Sequence, residues 1–217
     1  MAEELIKIEE NYRDPPHTTD EQKAVEGLRG GAAVLIVAAW ERFLRRLIEE
    51  ELTNLTKHTP KVPFKDLPPD MQTYNVIKTL ERATKGPNKK ERLAEIKQAC
   101  ESVIYDTVDP VLFIDTKNNP KPKVVTDMFK NLGIPNIFIR IKGDFERKSE
   151  KKIPDRFIEQ KLEAIINRRH VVAHKADALR ISRLDLDESI KFMNILAQVF
   201  EKYLQRHMKN IIKKHIK

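Results

Sequence analysis

The sequence predicts an all-α protein: a helical bundle with one long buried helix near its start and another long helix at its end. Three observations predict it. Of 217 residues, 34% are charged, 6% are aromatic and only six are glycine, a mix that favours helices over a sandwich or barrel. Apolar residues recur mostly at three- and four-residue spacing. Proline and glycine mostly punctuate those runs. The length suffices for one sizeable core, and residues 1–217 read as a single domain without internal repeats.

Glu3 to Arg13 suits a short helix ended by Pro15 and Pro16. Thr18-x-x-Glu21 forms a capping box and opens a long helix to about Thr56. Gly27, Gly30 and Gly31 give that helix places to bend or pack closely. From Ala32 to Trp40 it is apolar on every side, which predicts a central, buried position. Glu41 then interrupts the stripe Val34, Val37, Leu44, Ile48. His58 to Pro69 contains four prolines and reads as a connection. Helices follow at about 70–84 and 88–106, separated by Gly86-Pro87. Cys100 shares the stripe Leu93, Ile96, Val103 and is expected in the core.

A minor β element is expected within 111–141. Val111 to Ile114 is too short to assign, and Ile137 to Ile141 alternates weakly, as a short strand does. Between them, Lys123 to Leu132 is helical, with Gly133 placed to end it and Pro135 just beyond. Asp144 to Lys152 mixes both charge signs and reads as an exposed loop. Pro154-Asp155 opens a helix expected to fray near His174 to Asp177. Asp185-x-x-Glu188 is read as the cap of the last helix, whose seam runs Leu186, Ile190, Met193, Ala197, Phe200, Leu204, His207, Ile211.

Composition narrows function. The longest apolar stretch, Ala32 to Trp40, is too short to span a bilayer. The acidic start is wrong for a signal or transit peptide. A single cysteine excludes an intramolecular disulfide framework and fits a reducing cytosol. The expectation is a cytoplasmic protein without a membrane partner. A net charge of +8 suits an anionic partner such as nucleic acid, although it also serves solubility. The sequence shows no glycine-rich phosphate loop, nucleotide-binding fingerprint, paired catalytic carboxylates or Ser/His/Asp arrangement.

The most informative residue is Arg169. The segment Ile158, Leu162, Ile165, Arg169, Val172 keeps the spacing of a helix seam, so an arginine stands where an apolar residue is due. A charge on a core face is costly unless it is paired or the face is a site. His170 and His174 follow directly. Arginine offers planar, permanent donors for phosphate oxygens, and imidazole titrates near neutral pH. Together they point to phosphate chemistry.

Arg169 and His174, with His170 after the arginine, resemble the signature of the HEPN superfamily. Trp40-Glu41-Arg42-Phe43 on an early apolar helix and a long final helix over Leu179 to Tyr203 extend the likeness. The segment Lys123 to Gly133, with its Leu-Gly-Ile ending, is similar to RiboL-PSP-type members. The resemblance implies a metal-independent endoribonuclease without a cofactor, acting as a homodimer whose motif helices face one another. It implies a toxin–antitoxin or phage-defence setting, with an antitoxin or regulatory protein as a further partner. His174 would act as general acid or base, Arg169 would stabilise phosphorane charge, and His170 would orient substrate or move a second proton. Glu41 is the expected support for Arg169.

Arg168, Lys175, Arg206, Lys209, Lys213 and Lys214 are candidate contacts to RNA backbone; the last four also suit a plain solvated face. Other readings stay open. Arg169 and Glu41 suit a buried ion pair in a helical scaffold, and the module also suits non-catalytic binding of RNA, nucleotide or protein. His170 and His174 have the i, i+4 spacing of a metal pair, but neither a glutamate after the first histidine nor a cysteine or acidic cluster is near.

Overall fold

The computed structural model describes residues 1–105, 108–114, 120–175 and 181–216. The side chains of Ser102, His170, Val171, Ala173, His174, Lys175 and Ile216 lie outside that description. Among the described residues all regular secondary structure is helical. The α-helices are α1 (Ala2–Glu9), α2 (Thr19–Lys57), α3 (Pro69–Lys85), α4 (Lys89–Ile104), α5 (Pro122–Asn131), α6 (Ile137–Ser149), α7 (Phe157–Lys175) and α8 (Arg183–Ile216). Short 3₁₀ turns occupy Phe64–Asp66 and Pro110–Ile114.

The chain packs as two compact units. The first holds residues 1–43, 118–122 and 141–199. Its core draws Ile36, Val37 and Trp40 from α2, Leu162 and Ile166 from α7, and Leu186 and Leu196 from α8. Phe145 and Phe192 meet there at 5.5 Å. The second unit holds residues 44–117, 123–140 and 200–217. Phe129 meets Phe200 edge-on at 4.9 Å, and Leu44, Ile48, Leu52 and Leu132 are also fully buried. Each such side chain stabilises its unit by about 1.5–3 kcal/mol.

Helix boundaries follow local chemistry. Thr18 Oγ1 accepts from the Glu21 amide at 3.1 Å while Glu21 accepts from the Thr18 amide at 3.2 Å, closing the expected capping box. Gly31 lies under Leu5, where an added Cβ would stand 3.1 Å from Leu5 Cδ1. Gly133 adopts φ +78° and ends α5. The amides of Gly133 and Ile134 bond back to Lys130 and Phe129, a left-handed terminus that suits glycine.

Several expectations give way. No strand forms among the described residues, so the minor β element near 111–141 is absent there. Ile137 to Ile141 instead opens α6, and Asp144 to Ser149 continues it. Ile137, Phe138, Ile141 and Phe145 are buried at helical spacing, so the mixed charges are the helix's outer face. The Ala32–Trp40 segment of α2 is not buried all round, since Ala38 and Ala39 are exposed. Cys100 is exposed too, on a stripe that faces solvent. The last helix is capped one turn earlier than expected. Ser182 Oγ accepts from the Asp185 amide at 3.0 Å, and Asp185 accepts from the Ser182 hydroxyl at 2.7 Å. Glu188 pairs with Lys161 instead, at 2.9 Å.

Candidate functional site

The seam of α7 is buried through Ile158, Leu162 and Ile165, all no more than 3% exposed. It opens at its last two positions. Arg169 and Val172 are only half-buried, so the core face ends where the arginine–histidine segment begins. The backbone stays helical through Lys175. Positions 169 and 174 therefore stand about 140° apart around α7. The side chains of His170, His174 and Lys175 lie outside the described residues.

Two polar straps set the rotation of α7. Lys161 pairs with Glu188. Immediately before Arg169, Arg168 places its Nη2 2.6 Å from Asp185 Oδ1 and its Nη1 3.0 Å from Ser189 Oγ. Ser189, 2% exposed, in turn donates to the Asp185 carbonyl at 2.6 Å. Burial pushes the Asp185 carboxyl upward, but the Ser182 hydroxyl and the Arg168 charge outweigh it and hold the group below the usual aspartate range. Arg168 was expected at the RNA surface. Two of its nitrogens are engaged by Asp185 and Ser189, and its side chain is 26% exposed.

The chain is anchored again beyond residues 176–180, which lie outside the described residues. Arg29 Nη1 donates to the Ile181 carbonyl at 3.2 Å, and Arg29 Nε donates to Glu9 Oε1 at 2.8 Å. Arg183 Nε donates to Glu9 Oε2 at 2.5 Å. Glu9 and Arg29 are 1% and 4% exposed, a buried pair that ties α1 to α2 and to the start of α8. Sequence reading missed this cluster. Nothing local marks it, because its members lie 20 and 174 residues apart.

Glu41 is half-buried on α2 between the fully buried Val37 and Leu44. In the second unit, Arg206, Lys209, Lys213 and Lys214 are exposed on α8. Arg206 lies over the Tyr203 ring at 6.0 Å. Lys213 and Lys214 line a groove of about 670 Å³ with Asn210, His207 and Gly133. His207 Nε2 donates to the Leu132 carbonyl at 3.0 Å. Burial lowers its pKa against that hydrogen bond, which favours the neutral ring. Among the described residues no group of three His, Cys, Asp or Glu side chains is placed to hold a metal ion. No helix there is long and apolar enough to cross a membrane.

A family model described as RiboL-PSP-HEPN matches residues 2–206. No curated protein and no solved structure matches the chain.

Proposed function

The chain belongs to the RiboL-PSP-HEPN family, and from that premise we propose that it is a metal-independent endoribonuclease. The observation that carries this reading is the opening of the α7 seam. Buried apolar residues give way to a half-buried arginine on a helix that remains regular. A charge in that position is tolerable where the face borders solvent and substrate.

In the proposed reaction the RNA 2′-hydroxyl attacks the adjacent phosphorus as it loses its proton. The P–O5′ bond breaks, and the departing 5′ oxygen takes up a proton. The products are a 2′,3′-cyclic phosphate and a 5′-hydroxyl. His174 serves as general acid or base, and His170 as the second proton-transfer or orienting group. Arg169 holds the non-bridging oxygens as charge builds on them. Glu41 supports Arg169, and Arg168 braces α7 against α8. Lys175 and the exposed Arg206, Lys209, Lys213 and Lys214 offer charge to the RNA backbone. We place the protein in the cytoplasm, in a toxin–antitoxin or phage-defence system, held in check by an antitoxin or regulatory protein.

The second reading is a non-catalytic HEPN module that binds RNA, nucleotide or a partner. Family membership supports it equally. Labelled RNA incubated with the purified chain in EDTA separates the two. Fragments with cyclic phosphate ends, absent with His174→Ala, are expected. Unchanged RNA across many substrates would favour the binding module, and cleavage lost in EDTA and restored by zinc would favour a metal site.

A further inference from the structure

The end of α8 carries a run that the family match does not reach. The match stops at residue 206, and residues 207–217 hold four lysines and neither aspartate nor glutamate. Along the helix this run is ordered. Tyr203, His207, Asn210 and Lys214 recur at four- and three-residue spacing, a stripe roughly 16 Å long, and Arg206 and Lys213 stand on the row beside it. His207, Asn210, Lys213 and Lys214 line the groove of about 670 Å³, which lies wholly within the second unit. Gly133 and Pro68 give that groove a stiff lining. An added Cβ on Gly133 would stand 2.5 Å from Pro68 Cβ, so the two are already in close contact.

The charge around the groove is one-sided. Lys213 and Lys214 are exposed in its lining. Arg140 is exposed too; it donates to the Pro135 carbonyl at 2.7 Å and reaches the Tyr203 hydroxyl at 3.5 Å, one turn of α8 before His207. Burial lowers the His207 pKa, the Leu132 hydrogen bond opposes it, and the Arg140 and Lys214 charges lower it further, so both cations act on one ring. The one acid among the described lining residues is Asp66, and its Oδ2 stands 3.1 Å from His215 Nδ1. Among the described residues no carboxylate pairs with Arg140, Lys213 or Lys214. Gathering these cations costs the single chain repulsion, which a bound polyanion would offset.

We propose that this groove is a binding site for single-stranded RNA, which lays its phosphates on Lys213, Lys214 and Arg140 and stacks a base on Arg206. The ligand must carry negative charge at regular intervals and be narrow enough to enter a groove of small-molecule size. A single strand meets both conditions, and its unpaired bases are free to stack on an arginine plane. Arg206 already lies over the Tyr203 ring at 6.0 Å, which holds its guanidinium flat as a platform. Asn210 offers an amide to a sugar or a base edge. A duplex has its bases stacked within itself and would bring phosphates alone. The inference deepens the ribonuclease reading, on which the choice of RNA rests, but it uses none of the α7 residues and does not require cleavage.

A short fluorescein-labelled oligonucleotide of 2′-O-methyl RNA has no 2′-hydroxyl to attack, so its fluorescence anisotropy reads binding without cleavage. The full chain should bind it, and more weakly as salt rises. Lys213→Gln combined with Lys214→Gln should weaken binding about tenfold and lower the salt slope by about 1.4, two phosphate contacts at roughly 0.7 each. Lys89→Gln combined with Lys90→Gln removes the same charge from exposed positions of α4 and should leave affinity and slope unchanged. Thermal melts check that both variants fold. No binding, or an equal loss in the two double variants, would overturn the proposal. Equal affinity for the same sequence as a duplex would overturn the single-strand assignment. Displacement by polyglutamate as readily as by unlabelled oligonucleotide would mark a site for acidic protein instead. A chain that binds the oligonucleotide here yet leaves ordinary RNA intact would sink the ribonuclease and keep the groove.

Discussion

Arg169 and Arg168 are adjacent in sequence and differ in what a substitution should do. Arg168 is strapped to Asp185 and Ser189, so Arg168→Ala should lower stability by leaving a part-buried carboxylate without its cation. Arg169 stands where the seam has opened, so Arg169→Ala should hold or raise the melting temperature while RNA cleavage falls. Thermal melts and cleavage rates on the same samples check this. A loss of roughly 3–5 kcal/mol, rescued by Glu41→Gln, would instead mark a buried ion pair. His207 makes a pH-dependent prediction. Its pKa is lowered in the folded state, so the unfolded chain binds more protons below the ordinary histidine value. The stability it contributes is present above pH ~6.5 and is lost as pH falls below that. The melting temperature should drop between pH 7 and 5, less steeply in His207→Gln.

At the scale of the element, what was legible in the sequence was local. The Thr18–Glu21 box and Gly133 were readable because each lies within a few residues of the group it satisfies. The α6 helix was not, because five residues of alternation cannot be told from the first turn of a helix. Only Phe145, eight residues past Ile137, settles the period. Periodicity in α4 was real, but it reports that a helix has two faces and not which face is covered. That is why Cys100 was expected inside and stands outside. Arg169 was legible as an interruption of a pattern, whereas Arg168 needed a partner 17 residues away.

Two substitutions test the helix ends. Ser182→Ala removes an acceptor from the first turn of α8 and should cost about 1 kcal/mol in denaturant melts. Gly133→Ala should cost at least about 1–2 kcal/mol for a side chain in the left-handed region. Its added Cβ would also meet Pro68 Cβ at 2.5 Å. The buried cluster is more sensitive still. Glu9→Gln leaves Arg183 without its carboxylate and Arg29 with Asp14 alone, and should cost roughly 1–3 kcal/mol.

For the whole molecule, the regularity of α7 makes the strongest demand. One way to bring Arg169 and His174 to one phosphate within a single chain is for the helix to unwind near Ala173. It does not, because α7 continues to Lys175. On a straight helix the two positions point about 140° apart, too divergent to converge on one phosphorus. Two copies of α7 set face to face remove the difficulty, since Arg169 of one chain then approaches His174 of the other across a shared, solvent-filled groove. Such an arrangement also explains an arginine on an otherwise apolar seam, because a symmetric contact exposes it to substrate without enclosing it in a core. Mixing Arg169→Ala chains with His174→Ala chains should therefore restore part of the cleavage that each lacks alone, since a mixed dimer retains one intact cleft. The mixture should do so only after subunit exchange, with light scattering reporting at least twice the chain mass throughout. A monomer with full activity would sink the composite cleft, and with it this account of why Arg169 occupies the seam.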